Sequence, residues 1–279
     1  MIKIITDSTS DISLQLAKEM NIEIVPLIVR VDGNEYKDRV ELAPEDFYKQ
    51  LEEKDLTPST SQPSPQDFLK VYEKAKEAGD EILVITLSGE VSGTYQSAMI
   101  AKDLLEYDKI QVINSASATF GLRIIIEKAL QLRNEGKTLE EIVSFLEDYK
   151  NRVHIFALVD TLEYFYKGGR LSKTSATVGT LLKFKPVVGI KDGKLELFAN
   201  CRGTRKSISK IIELIHETGD IDLQEPVCIG YTGNSEGLDK FENLLKEEFY
   251  FENVIHGIVG PVIGSHAGPG GRIIAFVRK

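Results

Sequence analysis

Along the first half of the chain, short apolar runs alternate with segments whose apolar positions recur every third or fourth residue. These are the periods of buried strands and amphipathic helices. Residues 2–6 read as a strand ending in Asp7-Ser8-Thr9-Ser10-Asp11, residue types that cap helices. Residues 22–31 read as a second strand, with Asp32-Gly33 as a hairpin turn into a short return strand. Helices are predicted over 43–54 and 65–79, the latter capped by Ser64 with Pro65 in its first position. A buried strand over 81–87, a helix over 92–105 and a strand over 110–114 follow, then helices over 119–134 and 139–149. Apolar strands separated by helices imply a parallel sheet covered on both faces.

The second half changes rhythm. A strand over 153–159 leads through a helical segment to the turn Lys167-Gly168-Gly169-Arg170. Residues 186–190 and 194–199, joined by Asp192-Gly193, form the clearest hairpin. A helix over 204–217, a strand over 227–231, a helix over 236–248 and strands over 255–261 and 272–277 complete the chain, the last two flanking a loop at 264–270. Hairpins mixed with crossovers predict an antiparallel component. The expected fold is therefore α/β, with residues 1–151 forming a domain with a mainly parallel sheet and 152–279 a second with a mixed sheet.

At 279 residues, with 42% hydrophobic positions, the chain can bury a full core. Its formal net charge of −9 argues against a general nucleic-acid or membrane-surface role. Lys167, Arg170, Lys173, Lys183 and Lys185 nevertheless crowd one stretch, either a solvated face or a docking patch. Cys201 and Cys228 lack metal or redox spacing and read as reduced thiols in a cytoplasm. The apolar start is too short for a signal-peptide core, and no stretch is apolar enough to span a bilayer. A soluble cytoplasmic protein, monomeric by default, is expected.

Three polar clusters carry the candidate chemistry: T-S-Q-P-S-P at 60–65, S-G-T at 92–94 and G-S-H-A-G-P-G at 264–270. None contains an acid, so together they would hold a small anion through hydroxyls, backbone amides and one imidazole. Ser92-Gly93-Thr94 lies between a strand and a helix, where free N–H groups attract an anion; phosphate and carboxylate both fit. The motif matches neither a P-loop nor a dinucleotide turn. Thr60 and Ser61 have hydroxyls free for a pocket, whereas Ser64 is needed as a cap. Glycines around His266 let the backbone approach a ligand closely. His154, His216 and His256 read as structural. A rival reading sets Ser92 or Ser61 with His266 and Asp7 as a catalytic triad of an esterase or thioesterase, although no G-x-S-x-G elbow occurs. No metal spacing is present, so no cofactor is expected.

The motifs T-D-S-T-S-D (6–11), T-S-Q-P-S (60–64), L-S-G with S-G-T-Y-Q-S-A (87–98), K-G-G-R-L-S (167–172), K-P (185–186) and G-x-H-x-G-P-G (264–270) resemble the DegV family, in its order and over essentially the whole chain. That resemblance implies a long-chain fatty acid buried between two α/β domains. It implies that Thr60, Ser61, Ser92, Gly93, Thr94 and His266 hold the carboxylate. It further implies that the acid is presented to a partner fatty acid kinase for acyl-phosphate formation in phospholipid synthesis; a carrier without a kinase is the alternative. An arginine after the hairpin strand belongs to the site in kinase-linked members; Arg202 falls there, with Arg205 close by. Asn114 departs from the family, many members carrying Asp. Val25, Leu27, Val29, Phe156, Leu158, Leu181 and Val188 are candidate walls for the acyl chain.

Overall fold

The computed structural model describes residues 1–54, 56–171 and 184–279. Lys173, Leu181 and Lys183, and Ser172 of the K-G-G-R-L-S motif, lie outside them. The elements in chain order are β1 (Ile2–Asp7), α1 (Leu14–Glu19), β2 (Ile22–Val25), β3 (Ile28–Val31), β4 (Asn34–Lys37), α2 (Pro44–Glu53), β5 (Ser59–Ser61), α3 (Pro65–Glu77), β6 (Glu81–Thr86), α4 (Thr94–Leu105), β7 (Ile110–Asn114), α5 (Thr119–Asn134) and α6 (Leu139–Tyr149). Then come β8 (Val153–Leu158), α7 (Glu163–Lys167), β9 (Phe184–Lys191), β10 (Lys194–Arg202), α8 (Thr204–Thr218), β11 (Val227–Tyr231), α9 (Leu238–Phe249), β12 (Val254–Ile258), α10 (Pro261–Ala267) and β13 (Arg272–Val277).

Three sheets result. A parallel sheet runs β2-β1-β6-β7, a mixed sheet runs β10-β9-β8-β13-β11-β12, and a small antiparallel sheet runs β4-β3-β5. In the parallel sheet the chain winds one way from β1 to β2 and the other way from β6 to β7. The C-terminal ends of β1 and β6 thus mark a switch point, where α/β sheets place their ligands. α5 lies between the parallel and mixed sheets. Eleven of its 16 residues are buried, which accounts for an apolar pattern running nearly all round it. One core cluster joins Ile4, Leu83 and Ile113, α5 residues such as Leu122, Ile125 and Ile126, and Ile155, Ile273 and Ala275 of the mixed sheet.

Four expectations need correction. Residues 22–31 form two strands in different sheets, because Pro26 has no N–H for a ladder and ends β2. Thr60 and Ser61, for which no strand is predicted, stand on β5, where β3 pairs with them. The strand expected to reach residue 261 stops at Ile258. The expected loop at 264–270 is mostly α10, which Pro261 opens and which carries His266. Its glycines serve chain packing: a Cβ on Gly264 would lie 2.4 Å from the Tyr48 hydroxyl, and one on Gly268 2.3 Å from the Tyr164 ring.

Candidate functional site

A cavity of about 410 Å³ opens at the C-terminal edge of the parallel sheet, beneath the mixed sheet, within the roughly 300–1,000 Å³ usual for ligand sites. Its wall is mainly aliphatic. Leu87 and Val91 follow β6, Ala118 and Thr119 open α5, and Val262 and Ile263 come from α10. Strand alternation decides which mixed-sheet residues face it. Ile155, Ala157 and Val159 line the cavity, while Phe156 and Leu158 point to the other face and pack with α8 and α9 residues such as Ile211 and Phe241. Phe156 and Leu158 are therefore not walls; the sequence gives the alternation of β8 but not which phase faces the cavity. Leu27 and Val188 do line it, whereas Val25 and Val29 sit in separate core clusters.

Thr60, Ser61, Gln62, Ser92, Arg170 and His266 supply polar atoms to the same wall. The imidazole Nε2 of His266 lies 2.9 Å from the Thr60 hydroxyl. Consecutive strand residues face opposite ways. Ser61 accordingly turns from the imidazole and accepts from Arg30 Nη1 at 3.2 Å. The Ser92 hydroxyl sits 2.9 Å from that of Thr94 and accepts from the Thr94 N–H at 3.3 Å. Thr94 is buried behind it. The place of a Cβ on Gly93 is taken by Gln62, whose Oε1 would be 2.1 Å away, and Gln62 in turn donates to Ser97 at 3.1 Å. Thus Thr60, Ser61, Ser92 and His266 border the cavity, and Gly93 and Thr94 form their support. Arg202 and Arg205 are exposed, at the end of β10 and the start of α8, and do not border it.

Two partners of this wall were not singled out as such by the sequence. Gly168 approaches the imidazole so closely that a Cβ there would lie 2.0 Å from His266 Nδ1, giving the K-G-G-R segment a steric role. Arg170 bridges two loops by donating to the Gly168 and Val91 carbonyls at 2.7 and 3.2 Å, and among the described residues it is the cation bordering the cavity. Burial, with Arg170 nearby, lowers the His266 pKa from 6.5 to about 4, so the ring is neutral at pH 7. A neutral imidazole, hydroxyls and one guanidinium suit a single carboxylate. Asn114 accepts from the N–H groups of Gly89 and Ala116 at 3.1 and 3.0 Å, tying the loops after β6 and β7 together.

The side chains of the triad reading do not line up. Asp7 accepts from the Thr9 N–H at 3.0 Å, the Thr9 hydroxyl at 2.5 Å and the Leu87 N–H at 2.8 Å, while His266 Nδ1 has no hydrogen-bond partner among the described residues. His216 pairs with Asp220 and Glu248, His256 with Glu242, and His154 stacks near Phe156 and Phe276. Among the described members of the basic stretch, Lys167 pairs with Glu163 at 2.7 Å and Lys185 with Asp160 at 2.6 Å, so their charge is largely offset. Among the described residues, no helix is long and apolar enough to cross a membrane, and no group of three His, Cys, Asp or Glu side chains is placed for a metal ion.

A family model described as "Uncharacterised protein, DegV family" matches residues 1–279. A DegV domain-containing protein of Caldanaerobacter subterraneus is 38% identical over 278 residues, covering 100% of this chain and 99% of its relative. Among solved structures, a fatty-acid-binding DegV family protein of Thermus thermophilus superposes with a TM-score of 0.88 at 31% identity, over 99% of each chain. The Streptococcus pneumoniae fatty acid kinase (Fak) B3 protein, loaded with linoleic acid, superposes at 0.86 with 25% identity over 100% of each chain.

Proposed function

The chain belongs to the DegV family, and on that premise we propose that it holds a long-chain fatty acid in the cavity and presents the carboxylate to a separate fatty acid kinase. The observation that carries this reading is the convergence of Thr60, Ser92 and His266 on one aliphatic cavity. A carboxylate buried without donors costs several kcal/mol, which these groups and Arg170 offset. Each buried CH₂ of the acyl chain then contributes roughly 0.8 kcal/mol, an upper figure before the cost of immobilising the chain. The Thr60 hydroxyl meets the His266 imidazole, but among the described residues no carboxylate orients that ring, and in this reading the kinase would supply nucleotide, metal and phosphoryl transfer. Arg202, exposed beyond the cavity, suits contact with that partner and with the phosphoryl charge. The protein acts in this reading as a cytoplasmic monomer.

Incubation of the acid-loaded protein with a bacterial fatty acid kinase and ATP tests the partner step. Acyl phosphate is the expected product. Tight binding of the acid without acyl phosphate would favour a carrier, and labelling of Ser61 or Ser92 by a fluorophosphonate probe would favour a hydrolase.

A further inference from the structure

Away from the hydroxyl–histidine pair, a buried polar cluster lies where three segments distant in sequence meet. The fully buried Asp11 carboxylate accepts at Oδ1 from Arg39 Nη2 at 2.7 Å and from the Gly260 N–H at 2.8 Å, and at Oδ2 from the Thr119 hydroxyl. Arg39 Nη2 also donates to the Ile258 carbonyl at 2.8 Å, and the Tyr48 hydroxyl donates to the Val259 carbonyl at 3.0 Å. Residues 258, 259 and 260 are the end of β12 and the link from it into α10. Every residue of that link is thus gripped by a side chain from the first 48 residues.

Backbone conformation sets the cluster apart from ordinary packing. Asp11, Arg39 and Thr119 all have left-handed φ, at 56°, 61° and 48°. For a β-branched threonine this is costly and persists only where surrounding bonds over-determine it. A buried ion pair is also a weak source of stability compared with apolar packing. The cluster is better explained by what it holds: α10, which carries His266, and Thr119, which opens α5 and borders the cavity.

We propose that Asp11 is a positioning residue of the cavity, fixing α10 and its His266 against the start of α5 through its bonds to Gly260 and Thr119. Arg39 neutralises the carboxylate and, with Tyr48, completes the grip on the link. The inference rests on the reading of His266 as a ligand for the acid's carboxylate.

Thr119→Val removes the hydroxyl bond at nearly constant shape, and Thr119→Ser keeps it. Asp11→Asn removes the charge. The ring ¹H–¹⁵N spectrum of His266 and the release rate of linoleate are read for each. Thr119→Val is expected to shift the His266 ring signals and speed linoleate release roughly tenfold, the scale of one hydrogen bond to a charged group, with Thr119→Ser keeping the original His266 ring signals. Unchanged His266 signals in both Thr119→Val and Asp11→Asn overturn the proposal. Failure of the unaltered protein to take up linoleate contradicts the functional reading instead, and the imidazole spectrum then still decides the positioning role.

Discussion

His266 Nε2 and the Thr60 hydroxyl, 206 residues apart in sequence, meet at 2.9 Å on the wall of an aliphatic cavity. The contact joins a three-stranded sheet near the start of the chain to a short helix near its end. Thr60→Val keeps the shape of the side chain and deletes the hydroxyl. Linoleate affinity should fall roughly tenfold, measured by fluorescent-probe displacement, with thermal stability little changed. An unaltered affinity would remove Thr60 from the site.

Gly168 has an ordinary helical φ of −75°, so alanine there strains no backbone. Its methyl would, however, occupy space 2.0 Å from His266 Nδ1. Gly168→Ala should displace the imidazole and abolish retention of the acid while leaving circular dichroism unchanged. Retention of acid at the original level would show that the imidazole's position does not matter for binding.

The alternation of strands and helices was legible because each element repeats its apolar period, and the central helix α5 stands out by being apolar nearly all round. The motifs holding Thr60, Ser92 and His266 were legible as hydroxyl and imidazole groups among glycine and proline. Three things were not. Pro26 splits a continuous apolar run between two sheets, and a local pattern does not report sheet membership. Strand β8 alternates visibly, but which phase faces the ligand depends on what packs on each side. The pairing of His266 with Thr60 rather than Ser61 follows from the register of β5 against β3, a long-range fact.

Asp38 gives the pH dependence its clearest handle. Burial pushes its carboxyl from 3.8 to about 7; nearby Asp11 adds to this, while Ser8, Arg39 and the Val262 N–H oppose it. The folded chain therefore binds this proton more tightly than the unfolded chain. Its stabilising contribution is full at low pH and is lost as pH rises from 3.8 to about 7. Asp38→Asn should thus gain stability relative to the original protein across that window and level off above it. His154 and His266, both lowered to about 4, act in the opposite sense but are common to both proteins and cancel in the difference. Urea midpoints at a series of pH values check this; a constant difference would contradict it.

Arg202 separates binding from presentation, since it is exposed and does not border the cavity. Arg202→Ala should retain the acid fully and slow acyl-phosphate formation by a fatty acid kinase by about tenfold or more, as loss of an interfacial charge does. Loss of the acid itself would place this arginine in the binding site.

Denaturing extraction and mass spectrometry of the protein as purified tests the central claim most directly, with the Ser92→Ala, His266→Ala double variant alongside. The account predicts a near-stoichiometric long-chain fatty acid in the unaltered protein and its loss from the double variant. Equal lipid in both, or none in the unaltered protein even after incubation with linoleate, would contradict it.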